Sequence, residues 1–172
     1  MLRAFLVPAM LICSCAFTAA TAARIEIVAL GASNTAGQGV GSGAAFAAQL
    51  EAMLRAKGYD VRIANAGISG DTSAGMLSRL DSAVPDGTRI VLLHVSGYND
   101  ARRGYGPQER QASTNAIVSR LHARGIKVIM VNLGGIPSSD FQADAIHLNS
   151  HGHAVVAARL LPQVIAALGR LR

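Results

Sequence analysis

Four short segments of this chain carry side chains suited to nucleophilic catalysis. The first is Gly31-Ala32-Ser33-Asn34-Thr35-Ala36-Gly37, and the last is Asp144-Ala145-Ile146-His147-Leu148-Asn149. A serine hydroxyl is a poor nucleophile until a neighbouring base takes its proton, which makes Ser33 and His147 a candidate pair. Asp144, three residues before His147, can accept from the imidazole Nδ1–H, fix its tautomer and leave Nε2 for the serine. Between them lie Asn65-Ala66-Gly67-Ile68-Ser69-Gly70-Asp71-Thr72 and Ser96-Gly97-Tyr98-Asn99-Asp100.

Each residue also has an ordinary structural reading. Ser33 can satisfy a turn, Asp144 can cap the last helix, and His147 can sit at that helix's entry. Asn99-Asp100 is common turn chemistry, and Gly67 and Gly70 are common turn residues. Asp71-Thr72 reads as a helix cap rather than a catalytic pair. His147, His151 and His153 suggest a metal cluster, but residues two apart on a helix point away from each other. No metal site is expected. His94, inside a strand-like run, reads as a hydrogen-bonded core residue.

The elements that must position these groups alternate between strand and helix. Ile25–Leu30 is a short apolar run ending at Gly31, the pattern of a buried strand. Phe46, Leu50, Met53 and Leu54 recur at helical spacing, with Gly58 as a stop. Tyr59–Ala64 reads as a second strand and Asn65–Gly70 as a loop. A helix capped at Asp71 or Thr72 carries Met76, Leu77 and Leu80. Arg89–Val95 is a third strand, and Pro107 opens a helix closed by Gly125. Ile126–Leu133 is a fourth strand, and a last helix runs from about Ser150, kinked or restarted by Pro162.

This alternation predicts an α/β fold: a three-layer α/β/α sandwich with a parallel sheet of four to five strands, flavodoxin-like in type. Ligands of such sheets bind at the carboxyl ends of the strands. All four chemical segments fall on loops after predicted strands or at a helix entry.

In order and spacing the four segments resemble the SGNH (GDSL-like) hydrolase superfamily, and in particular its exported thioesterase/lysophospholipase esterase branch. The resemblance runs from Ile25 to about Leu161. It implies a catalytic Ser33, Asp144 and His147. It also implies an oxyanion hole made by the backbone N–H of Ser33, the backbone N–H of Gly70 and the side-chain amide of Asn99. Glycine at position 70 would let the backbone approach a substrate closely. The implied activity is cleavage of a small-molecule acyl ester or thioester, with no cofactor; a carbohydrate O-deacetylase would use the same machinery. The chain departs from the family at Ala32, where Asp is common. Only thirteen positions separate Val131 from Asp144, where many relatives place a further helix and strand. The shortened stretch implies an open, shallow site and short acyl groups.

Composition narrows the alternatives. The chain has 172 residues, 51% hydrophobic and 15% charged, enough apolar material for one core in one domain. Residues 1–23 read as a signal peptide: Arg3, an uncharged stretch from Ala4 to Ala23, and the small run Ala20-Thr21-Ala22-Ala23. Residues 24–172 then form a single domain exported to the periplasm or beyond, with no stable membrane span. A retained anchor is the rival, weakened by Pro8, Ser14, Thr18 and Thr21. Lipid attachment at Cys15 fits poorly. Both cysteines, Cys13 and Cys15, lie in the removed segment, which leaves no disulfide or thiolate site. The formal charge of +6 falls to about +5 without Arg3 and is dispersed, so nucleic acid is not an expected partner and only mild attraction to anions is. The oligomeric state is left open.

A binding module is the competing class. Gly37, Gly39, Gly41 and Gly43 precede a helix, and Asp60 sits at ribose-contact distance in sequence. A dinucleotide site, however, needs its first glycines directly after the strand, where this chain has Gly31-Ala32-Ser33. A catalytically silent hydrolase fold would have no need of Ser33, Asn99, Asp144 and His147 together.

Overall fold

The computed structural model describes residues 24–169; the predicted signal segment lies outside them. Four strands form one parallel sheet: β1 (Ile25–Gly31), β2 (Val61–Gly67), β3 (Thr88–Leu93) and β4 (Lys127–Met130), in the order β2-β1-β3-β4. The register pairs Ile25 with Val61 through Gly31 with Gly67, and Ile90 with Lys127 through Leu93 with Met130. β1 is therefore central, and its residues from Ile27 to Leu30 are almost wholly buried. This is why the run reads as continuously apolar rather than alternating.

Helices cover both faces. α2 (Phe46–Ala56) and α7 (Ser150–Gly169) bury Leu50, Leu54, Val156, Leu160 and Val164 against Ile27, Ala29, Ile90 and Leu92. On the opposite face α3 (Ser73–Ser78), α4 (Leu80–Ala83) and α6 (Pro107–Ala123) contribute Met76, Leu80, Ile117 and Leu121 against Val28, Leu30, Val91 and Leu93. The three-layer α/β/α expectation holds, with four strands. Burying each such Leu or Ile stabilises the fold by about 1.5–3 kcal/mol. α7 has the length and apolarity of a membrane span, but its inward stripe belongs to this core.

Several boundaries differ from those read in the sequence. β2 extends to Gly67, so Asn65 is a strand residue rather than the start of a loop. Its polar side chain fits there because Nδ2 donates to Thr35 O at 2.7 Å. The helix after Thr72 breaks at Arg79 into α3 and α4. β3 ends at Leu93, which places His94 just beyond it, and β4 ends at Met130. α7 runs through Pro162 without restarting.

Candidate active site

The nucleophile candidate sits on α1 (Ser33–Ala36), a single turn entered directly from β1. Two glycines allow this turn to lie so low on the sheet. A Cβ at Gly31 would collide with the Thr35 side chain, and one at Gly67 would collide with the backbone of Thr35 and Ala36. Ala32, at 2% exposure, belongs to the apolar cluster beneath, and its carbonyl accepts from Thr35 N and Ala36 N. The turn thus dispenses with a carboxylate at position 32.

Asp144 and His147 form a compact pair on the loop before α7. Asp144 Oδ1 accepts from the backbone N–H of Ile146 and of His147, each at 3.0 Å, and Oδ2 meets His147 Nδ1 at 2.5 Å. The His147 backbone N–H, then its ring, then the Ile146 N–H hold the Asp144 carboxyl down at about 2. An ionised carboxylate can only accept, so Nδ1 carries the proton and Nε2 is the ring's free acceptor. The turn requires Ala145 at φ 55, the one non-glycine residue with positive φ among those described. Such a conformation costs about 1–3 kcal/mol and persists where surrounding contacts enforce it. Asp144 does not cap α7; Asn149 does, with Oδ1 accepting from His151 N and Gly152 N at 3.0 Å each.

Ser33, Gly70, Asn99 and His147 line one cavity of about 350 Å³, shared with Gln38, Tyr98, Arg102, Arg103 and Ile146. All five residues singled out in the sequence are therefore brought together, Asp144 through His147. Among the described residues no hydrogen bond joins the Ser33 hydroxyl to His147; both line this space. Catalytic hydrogen bonds are often long before substrate binds. The backbone N–H groups of Ser33 and Gly70 donate to no protein acceptor among the described residues, and Gly70 has φ 80. Asn99, on α5 (Gly97–Arg102), spends one amide hydrogen on Asp71 O at 2.9 Å and keeps the other. Three fixed donors of this kind can stabilise an oxyanion.

The groups around Gly70 and Asn99 form a network. Arg79 Nε donates to Asp71 Oδ2 at 2.8 Å, and its Nη2 donates to Gly31 O at 3.2 Å. Asp71 Oδ1 accepts from Thr72 N, and Thr72 Oγ1 accepts from Gly75 N, so Asp71-Thr72 is structural as expected. Asp100, fully buried, accepts from Ser73 N at 3.1 Å and from Ser73 Oγ at 2.7 Å. It ties α5, and with it Asn99, to α3.

Sequence reasoning missed Asn34. The residue is 8% exposed; its side chain donates from Nδ2 to Ile146 O at 3.0 Å and accepts at Oδ1 from Leu148 N at 2.8 Å. These partners flank His147, and Asn34 follows Ser33, so one amide bolts the His147 loop to the Ser33 turn. An amide is the one small side chain that can both donate and accept at fixed angles. Nothing local signals this, because the partners lie 112 and 114 residues away.

The remaining histidines divide by environment. His94 is buried but, contrary to expectation, its Nδ1 has no partner; burial pushes it down to about 4 and keeps it neutral. It lines a second cavity of about 480 Å³ that shares Ser33 and Asn99 with the first and is walled further by Val95, Met130, Val131 and Leu133. His153 is buried in the core, where Nδ1 accepts from Phe46 N at 3.2 Å and burial lowers its pKa. His151 is exposed and meets Asp140 Oδ1 at 2.8 Å.

Residues 29–145 match the GDSL-like lipase/acylhydrolase family. Esterase TesA of Pseudomonas aeruginosa is 33% identical over 112 residues, 65% of this chain and 56% of that protein. Thioesterase 1/protease 1/lysophospholipase L1 of Escherichia coli is 31% identical over 113 residues, 65% of this chain and 52% of that protein. The match thus spans little more than half the length of these curated relatives. A crystal structure of TesA superposes with a TM-score of 0.76 at 24% identity, covering 83% of this chain and 99% of that one, and shares the fold.

Proposed function

Because this chain belongs to the GDSL-like lipase/acylhydrolase family, we propose that it is a serine hydrolase cleaving carboxylic ester or thioester bonds through an acyl-enzyme on Ser33. One observation carries the reading. Ser33, Gly70, Asn99 and His147, from four separate segments, wall a single cavity while Asp144 holds the far nitrogen of His147.

The mechanism follows from those positions. His147 Nε2 takes the Ser33 proton as Oγ attacks the carbonyl carbon. The carbonyl electron pair moves onto oxygen, where the Ser33 and Gly70 N–H groups and the Asn99 amide receive it. The imidazolium, stabilised by ionised Asp144, returns its proton to the departing alcohol or thiol. Water, deprotonated by the same imidazole, then attacks the acyl-enzyme and releases the acid and the free serine. The shortened stretch between Val131 and Asp144, which leaves the site open, supports short acyl groups. Residues 4–23 support export, which the N-terminal residue of the protein recovered outside the cytoplasm would test.

Purified protein should hydrolyse p-nitrophenyl acetate, and Ser33→Ala should abolish turnover while leaving the melting temperature within a few degrees. Equal activity in Ser33→Ala would refute the proposal.

A further inference from the structure

Two cavities meet at Ser33, and the chemistry assigns them different roles. The group that leaves must receive its proton from His147, so it departs into the cavity that His147 lines. The acyl portion then occupies the second cavity, which His147 does not line. This division rests on the hydrolase reading above.

The walls of the leaving-group cavity are unusual in charge. Arg102 and Arg103 both line it, and no Asp or Glu does. Among the described residues neither arginine has a salt-bridge partner. Of the other described arginines, Arg24, Arg55, Arg79 and Arg124 are paired with Asp60, Glu51, Asp71 and Asp86, and those that also lack a salt bridge do not line this cavity. Arg102 is also held in place: its guanidinium lies 5.7 Å from the Tyr98 ring centroid, and Nη1 donates to Tyr98 Oη at 3.4 Å. Tyr98 itself lines both cavities. A planar guanidinium fixed beside a cleft, with no internal carboxylate to neutralise it, matches the geometry of a carboxylate or phosphate.

We propose that Arg102 and Arg103 form an anion subsite for the leaving group, and that the preferred substrates are esters or thioesters whose alcohol or thiol portion carries a carboxylate or phosphate. The mild cationic surplus of the chain is thereby put to use at one place: the rim from which product departs. Because both side chains are exposed to solvent, the attraction is screened by salt.

The test compares acetyl esters of 4-hydroxybenzoate and 4-hydroxybenzamide, which differ in charge and little in shape. Each kcat/KM is divided by that ester's hydroxide-catalysed rate. The parent enzyme should favour the anionic ester about tenfold at low salt, mostly through KM, and the preference should shrink at high salt. Arg102→Gln/Arg103→Gln should bring the ratio to about one, the corresponding double Lys variant should keep part of it, and Arg120→Gln on α6 should keep all of it. Far-UV spectra and melting curves confirm that each variant is folded. A parent ratio near one, or a preference that survives the double Gln substitution, overturns the subsite. Failure to cleave either ester overturns the hydrolase reading on which it rests.

Discussion

Replacing Asn34 with Leu removes the bolt between the two halves of the catalytic apparatus while nearly preserving volume. Leu148 is fully buried, so its N–H loses its partner with no water to replace it, and Ile146 O loses its donor. The buried Leu148 N–H left unpaired costs about 1–3 kcal/mol and the part-buried Ile146 O about 1 more, which puts the destabilisation at about 2–4 kcal/mol. For a chain of this size that lowers Tm by about 5–12 °C. The larger effect falls on rate. With the bolt gone, the left-handed conformation at Ala145 is held only from within its own loop, by Asp144 and by the Ala145 N–H to Gln142 O and Gln142 N–H to His147 O bonds, and the loop can shift against the Ser33 turn and carry His147 with it. A displacement of about 1 Å at a catalytic group costs about a hundredfold, so kcat should fall about that far with KM little changed. Asn34→Asp is the informative companion. It keeps an acceptor for Leu148 N but sets an oxygen against Ile146 O, and should be impaired too. Steady-state kinetics with p-nitrophenyl acetate, well below both melting temperatures, reads the outcome. A lowered Tm with kcat intact would show that Asn34 only stabilises the fold, and the positioning argument would be wrong.

Other expectations follow from the same geometry. Asn99→Ala removes one oxyanion donor and should lower kcat about 10²–10³-fold, with residual activity from the Ser33 and Gly70 N–H groups; a loss below threefold contradicts its role. Asp144 titrates at about 2 in the fold against an ordinary 3.8, so its contribution to stability is complete above pH 4 and is lost as pH falls from there toward 2. In Asp144→Asn the acid-unfolding curve should lose that segment. His94 runs the other way for a base: held at about 4 against 6.5, it must be charged in the unfolded chain first. Stability is therefore lost as pH falls from 6.5 to 4, by about 3 kcal/mol at about 1.4 kcal/mol per pH unit. Buried His153 contributes in the same direction, so a His94→Phe variant whose chemical-denaturation midpoint falls as steeply as the parent's over that window would contradict the assignment.

The parts legible in the sequence were those with local causes. Gly58 and Gly125 end helices at φ 84 and 71, Pro107 starts one, and residues 27–30 are apolar throughout because both faces of the central strand are covered. The chemical residues could be read because each stands at a strand end or helix entry in a recognisable order. What escaped has partners far along the chain. Asn65 looks like a loop residue until its bond to Thr35 O is seen, and His153 looks like a ligand until Phe46 N is found donating to it. Asn34 looks like loop filler until its two partners, more than a hundred residues on, are in place. Arg102 and Arg103 disappear into a dispersed positive charge until the fold brings them to the serine.

Turnover depends on one hydroxyl being activated by one imidazole. Incubation with a p-nitrophenyl alkylphosphonate, followed by peptide mass spectrometry, probes this directly. A single adduct on Ser33, formed at least a hundredfold more slowly in His147→Ala, is the expected result. An adduct elsewhere, or labelling of Ser33 at the same rate without His147, would contradict the account.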